Sequence, residues 1–324
     1  MTFARFAVTG LALAAATTLL SAQAVRVDAG LPVYQKVSGI SGSLSSIGSD
    51  TMNNMMTLWA ETFRKMYPNV KIQIEGKGST TAPAALLAGT AQFGPMSRTM
   101  RAAEVDQFEA KYGYKPVELK TSYDALAVYV NKDNPIEKMS LAQVEAIFSK
   151  SRKRGYKEDV KTWGQLGLTG DWANRPISLY GRNSASGTYG FFKEFAMKNG
   201  DYKTTVKEQP GSASVVQGIT EDRYAVGYSG SGYRTSGVRA VPLANTDAGP
   251  FFEGTYEEVT SGKYPLWRFL YLYVNKAPGK PLDPLQAEFL KLIFSKEGQE
   301  VVVKDGYMPL TAKLVSEELA KIAK

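Results

Sequence analysis

The sequence predicts an α/β protein of two lobes, each built on an open sheet, with a ligand cleft between them. Three observations predict it. A strand, a small-residue turn and a helix start recur three times, around Gly48–Thr51, Gly78–Thr81 and Gly181–Thr188. An internal echo places Tyr-Val-Asn-Lys ahead of Ile-Phe-Ser-Lys twice, at Tyr129 and Ile147 and again at Tyr273 and Ile293. The chain has 324 residues and is 44% hydrophobic, enough for two cores.

Taken in order, residues 1–24 read as an export signal. Arg5 gives a weakly positive start, Phe6 to Leu20 is apolar, and Ala22-Gln23-Ala24 fits the small-x-small cleavage rule. The apolar run is too short and too rich in Ala and Thr for a membrane span. The mature chain is expected to begin near Val25. Leu44 to Gly48 reads as a strand. Ser49-Asp50-Thr51 then reads as a helix start, with Asp50 or Ser49 as N-cap. From Met52 to Tyr67, Met55, Leu58, Trp59, Phe63 and Met66 share one helical face, which reads as core. Val70 to Glu75 alternates as a strand. A second helix follows the turn at Gly78-Ser79-Thr80 and runs to Leu87 or Ala88, and Ala102 to Tyr112 reads as a third. The apolar runs Ala125–Val130 and Phe269–Val274 read as buried strands, and are candidates for the two places where the chain crosses between lobes. On that reading one lobe is discontinuous, combining residues 25–126 with 270–324, and the other spans 127–269. Chance similarity of two strand–loop–helix units is the alternative. Val215 to Ile219 reads as a helix, Tyr224 to Tyr228 as a strand, and the Pro and Gly clusters near 242–254 as surface loops.

Composition narrows the chemistry. The chain has no Cys and no His. That removes His acid–base work, Cys nucleophiles, disulfides, the usual zinc sites and a lipid-bearing Cys. The formal charge of +8 becomes +7 without residues 1–24, where Arg5 is the one charged side chain. The cations are scattered, and the densest run, Lys150–Lys157, reads as a solvated loop rather than a nucleic-acid site.

The Gly181–Thr188 turn follows the apolar run Ile177–Tyr180 and precedes Tyr189–Ala196, which reads as an amphipathic helix. The first turn of a helix leaves N–H groups unpaired at the positive end of its dipole, so such a turn suits an anion. Ser186 and Thr188 add hydroxyls, Gly187 admits close backbone approach, and Arg182 offers a fork of donors matched to an oxyanion. A plain Ser N-cap with an exposed Arg nearby is the alternative. Gly78-Ser79-Thr80 lacks the Gly-Lys-Ser/Thr order of a nucleotide-binding loop.

The export signal, the two-lobed pattern and the anion turns together resemble the phosphate-binding subunit of bacterial ABC phosphate importers, a class II periplasmic binding protein. The resemblance covers essentially the whole mature chain. Its strongest motif is Arg182-x-Ser184-x-Ser186-Gly187-Thr188, supported by Gly48-Ser49-Asp50-Thr51, Gly78-Ser79-Thr80, Phe93 to Arg98, Ala225 to Tyr228 and Gly306 to Leu310. It implies phosphate contacts from Asp50, Thr51, Ser79, Ser97, Arg182, Ser186, Gly187 and Thr188. It also implies a monomeric periplasmic protein whose partners are inorganic phosphate and the membrane subunits of an importer. No cofactor, metal, nucleic acid or catalytic residue is expected.

The chain departs from the best-known members twice. Ser97 and Ser184 stand where those members carry Asp; the first of those acids accepts a proton from bound phosphate and helps exclude sulfate. Other branches of the family carry Ser-Arg at the first position, as Ser97-Arg98 does here. Asp50 is the remaining acid inside an anion turn, so it is either the replacement acceptor or simply an N-cap. Another oxyanion on the same fold (sulfate, molybdate or a phosphonate) is the competing reading. A secreted phosphatase is a third, weakened because no base accompanies any Ser.

Overall fold

The computed structural model describes residues 25–323; the proposed export signal lies outside them. The chain runs β1 (Gly42–Gly48), α1 (Asn53–Met66), β2 (Val70–Gly76), α2 (Thr81–Ala88), β3 (Phe93–Met96), α3 (Ala102–Tyr112) and β4 (Val117–Ala125). It continues with β5 (Ala127–Asn131), β6 (Met139–Ser140), α4 (Leu141–Phe148), β7 (Ser178–Arg182), α5 (Gly187–Phe191), β8 (Val206–Gln209), α6 (Ser212–Glu221) and β9 (Ala225–Ser229). Then come β10 (Val238–Ala240), β11 (Leu243–Ala244), α7 (Tyr256–Thr260), β12 (Trp267–Val274), α8 (Pro284–Ile293), α9 (Lys296–Lys304) and α10 (Ala312–Ala323). Among the described residues, no helix is long and apolar enough to cross a membrane.

Two five-stranded sheets organise these elements. The first has the order β2-β1-β3-β12-β4, with β1 parallel to β2 and β3, and β12 antiparallel to both of its neighbours. The second has the order β10-β5-β9-β7-β8. The apolar run expected as one strand from Ala125 is divided at Leu126: β4 ends in the first sheet and β5 begins in the second. Leu126 donates its N–H to the carbonyl of Leu266, one residue before β12, at 3.0 Å. The chain therefore passes between sheets where these two segments lie side by side.

Local chemistry accounts for most helix ends. Ser140 caps α4 with a capping box to Gln143, Asp283 caps α8 ahead of Pro284, and Ser295 caps α9. In α1 the buried face is Met55, Met56, Trp59, Ala60 and Phe63. Leu58 and Met66, expected on the same face, are partly buried and pack against the core. Trp59 also donates its indole N–H to the carbonyl of Gly298 at 2.8 Å, which fixes α1 against α9. The eight-residue helix expected from Tyr189 is instead the end of α5 followed by a π-helical turn over Phe192–Ala196. The basic run Lys150–Lys157 is a loop with Lys150, Lys153 and Lys157 exposed, as expected, and it is anchored from within. The fully buried Glu145 accepts the backbone N–H groups of Lys153, at 2.6 Å, and Arg154.

Asp305 follows α9 and carries a buried carboxylate oxygen with no hydrogen bond. Burial pushes its carboxyl up to about 7 from an ordinary value of 3.8. A raised folded-state value means that folding favours the protonated form. Stability is therefore lost as pH rises from about 4 through 7 and levels off above that. Asp305→Asn should raise the melting temperature at pH 8 and leave it nearly unchanged at pH 4. An equal gain at both pH values would remove ionisation of Asp305 as the cause.

Candidate functional site

The three turns at the carboxyl ends of β1, β2 and β7 are bonded to one another. Gly78 donates its N–H to the carbonyl of Gly48 at 2.8 Å. Thr80 donates to the carbonyl of Ala185 from both its N–H, at 3.2 Å, and its hydroxyl, at 3.1 Å. Gly78 must be glycine: its φ is +107°, and an added Cβ would lie 2.5 Å from the Ala185 carbonyl oxygen. The turns thus pack backbone on backbone, which brings their side chains to one point.

At that point Thr51, Ser79, Ser97 and Thr188 present buried hydroxyls from four separate segments. Thr51 Oγ1 lies 2.8 Å from Thr188 Oγ1, Ser79 Oγ lies 3.2 Å from Ser97 Oγ, and Thr188 Oγ1 lies 3.4 Å from Ser97 Oγ. Gly187 closes the set: a Cβ there would sit 2.3 Å from Ser79 Oγ. Ser186 caps α5, accepting the N–H groups of Thr188 at 3.1 Å and Tyr189 at 3.4 Å.

Arg182 and Asp50 form a second, adjoining group. Arg182 is 1% exposed. It donates from Nη1 to Ser212 Oγ at 2.7 Å and from Nη2 to the carbonyl of Pro210 at 3.0 Å, and its Nη2 is 3.2 Å from Asp50 Oδ2. Its Nε is buried without an acceptor. Burial lowers the Arg182 pKa, and the charge of Asp50 opposes that shift. Of the two expected N-caps, Ser49 rather than Asp50 takes the N-cap position, and it makes no side-chain cap bond. Asp50 Oδ2 accepts the N–H of Ser212 at 2.7 Å, capping α6 from across the cleft. With Ser184 in place of an acid beside the loop Arg, Arg182 is paired instead by Asp50, which comes from a different turn. Ser184 itself is exposed.

Sequence reasoning missed Arg268 and Asp124. Arg268, on β12, donates from Nε to Asp124 Oδ2 at 2.9 Å, from Nη1 to the Ser97 carbonyl at 2.9 Å and from Nη2 to Thr188 Oγ1 at 3.0 Å. Asp124, on β4, is fully buried and also accepts from the Ser231 N–H at 2.9 Å. Arg268 lies inside the apolar run Leu266–Leu270, and a charge within such a run was the available signal; Asp124 follows the polar stretch Lys120–Ser122 and carried no such signal. Removing either partner alone would strand the other, at a cost of about 3–5 kcal/mol.

This arrangement can hold a small oxyanion through hydroxyl and amide dipoles, with guanidinium groups behind them. Among the described residues, no cluster of three or more acidic side chains is placed to hold a metal ion.

The chain is 57% identical over 296 residues to the phosphate-binding protein PstS of Pseudomonas aeruginosa, covering 91% of this chain and 92% of that one. It is 28% identical over 290 residues to the PstS of Staphylococcus haemolyticus, covering 88% and 86%. Among solved structures, a Clostridium perfringens chain assigned to phosphate ABC transport and crystallised with bound phosphate superposes with a TM-score of 0.69. That match is 24% identical and covers 83% of this chain and all of that one. An ABC-type phosphate transport receptor from Vibrio cholerae gives 0.62 at 22% identity, covering 82% of this chain and 100% of the receptor. These two establish the fold, the two-lobed class II periplasmic binding protein architecture. The model of the PBP superfamily domain matches residues 35–297, and the chain belongs to that superfamily.

Proposed function

We propose that this chain binds inorganic phosphate between its two lobes and delivers it to an ABC importer. The observation that carries the reading is the convergence of four buried hydroxyls and Gly187 where three strand–turn–helix units meet. The buried, unaccepted Nε of Arg182 supports it, because a desolvated guanidinium donor is costly unless an acceptor reaches it. The names of the relatives identify the anion as phosphate. The proposed contacts are Asp50, Thr51, Ser79, Ser97, Arg182, Ser186, Gly187 and Thr188, with Arg268 orienting Thr188.

The proposed lobes are residues 25–126 with the C-terminal segment, and the stretch between. Sheet membership supports this, with the second boundary placed just before Trp267 rather than at residue 270. The ligand touches both lobes, so binding favours the closed arrangement. The protein acts by binding rather than by catalysis. It works as an exported periplasmic monomer that passes phosphate to the membrane subunits of its importer. Recovery of periplasmic protein with Met1 still attached, by N-terminal sequencing, would overturn the export proposal.

Calorimetry tests the site. Arg182→Ala should weaken phosphate binding by about 1.5–3 kcal/mol, the range for hydrogen bonds to charged groups. It should also destabilise the free protein, because Asp50 loses its cation and α6 its brace. Unchanged phosphate affinity would take Arg182 out of the site. Asp50→Asn tests anion choice. Monohydrogen phosphate keeps a P–OH donor that a carboxylate can accept, whereas sulfate has none. The expected result is weaker phosphate binding with sulfate affinity held or raised. An unchanged phosphate-to-sulfate ratio would leave Asp50 only as the brace of Arg182 and α6.

A further inference from the structure

A second basic cavity lies on the other sheet's side of the molecule, away from the cleft hydroxyls. It measures about 480 Å³ and is lined by Lys150, Arg152, Lys161 and Lys203, with Asp159 as its acid and Pro176 and Ile177 on its apolar wall. That volume falls within the range of small-molecule sites, roughly 300–1,000 Å³.

The cavity is held in shape. Buried Glu145 accepts the backbone of Lys153 and Arg154. Lys153 donates its ammonium to the carbonyl of Asn199 at 3.1 Å, and Arg154 donates its Nε to the carbonyl of Ala196 at 2.7 Å. The Lys150 N–H is bonded to the Asp201 carbonyl at 2.8 Å. These ties turn Lys153 and Arg154 onto the protein and leave Lys150 and Arg152 on the cavity. Arg152 holds φ at +46°, a left-handed conformation that costs a non-glycine residue energy.

The charge there is unbalanced. Lys203 Nζ is 2.6 Å from Asp159 Oδ1 and donates to the carbonyls of Ala146 and Val160, both at 2.8 Å. Lys161 stands 3.4 Å from the other Asp159 oxygen. Among the described residues, the Arg152 side chain meets no hydrogen-bond acceptor or acid, while Lys150 shares the exposed Asp201 with Lys193 and Lys153. Burial lowers the Lys203 pKa, and the charges of Lys161 and Arg152 lower it further although Asp159 raises it, so these cations crowd one another. A bound anion would relieve that repulsion.

We propose that this cavity is a second anion site, for a phosphate ester whose phosphoryl group meets Lys150, Arg152 and Lys161 and whose apolar portion lies on Pro176 and Ile177. The head group can come from a free ester or from a lipid surface. The proposal is independent of the cleft, so the test saturates the cleft with inorganic phosphate first. Dihexanoyl phosphatidic acid, titrated calorimetrically below its micelle concentration, should then bind at one further saturable site. Binding should weaken as salt rises. It should fall at least tenfold in Arg152→Gln and, as a milder surface change, in Lys150→Gln, with thermal unfolding and cleft affinity for inorganic phosphate unchanged in Lys150→Gln. Sedimentation with phosphatidic acid vesicles, without binding of the free ester, would assign the same head group to a membrane. Absence of saturable binding in both formats, or wild-type affinity in both variants, would overturn the site. Equally tight binding of tripolyphosphate would overturn the apolar half.

Discussion

The buried pair of Arg268 and Asp124 is the constraint on which the rest of the molecule depends. It joins β12 to β4, the two strands beside which the chain passes between sheets. Its remaining hydrogen bonds reach Ser97 on one side of the cleft and Thr188 and Ser231 on the other. A buried ion pair is tolerable only when its other donors and acceptors are met, so these segments must arrive in register. One result is chemical. Thr188 Oγ1 accepts from Arg268, which leaves the Thr188 proton free to point at the other hydroxyls. A guanidinium behind a hydroxyl turns that hydroxyl into a donor facing the cleft.

The charge balance of the site follows the same logic. Arg182 and Arg268 are matched by Asp50 and Asp124, so the group is formally neutral. An anion entering it gains little from net charge and much from oriented dipoles, which favours shape and proton count over total charge as the basis of choice. Asp50 has a double attachment: its carboxylate braces Arg182 and α6, while its carbonyl accepts from Tyr233 at 2.8 Å. Thr51 beside it accepts from Tyr307 through its own carbonyl, also at 2.8 Å. One short turn is thus held from both sides of the cleft.

The turns were legible in the residues because turn chemistry is local: Gly78, Ser79 and Thr80, or Ser186, Gly187 and Thr188, carry their own instructions. So were helix α3 and most of the buried face of α1. Asp50 was legible as important but not in its role, since its partner Ser212 lies on a helix 162 positions away in the chain. Arg268 and Asp124 were hidden for a similar reason: only pairing of β12 with β4 shows that each charge has a partner. The break at Leu126 was invisible because apolar residues continue through it. The loop at Lys150 was legible as a loop, but its anchoring by Glu145 was not, since that is a contact between a side chain and backbone eight and nine residues away.

The place of β12 has a consequence for how the chain assembles. Every strand of the second sheet lies between Ala127 and Ala240, so that sheet has all its strands while the remainder is still being delivered. The first sheet has its other four strands by Ala125, yet its interior position between β3 and β4 stays open until Trp267–Val274 emerges. Until then two strand edges stand unpaired, and the contacts that close them span more than 140 residues, as between Arg268 and Asp124. The half of the molecule that begins first therefore finishes last, and its exposed edges are where a delivery chaperone or a misfolding partner would find purchase.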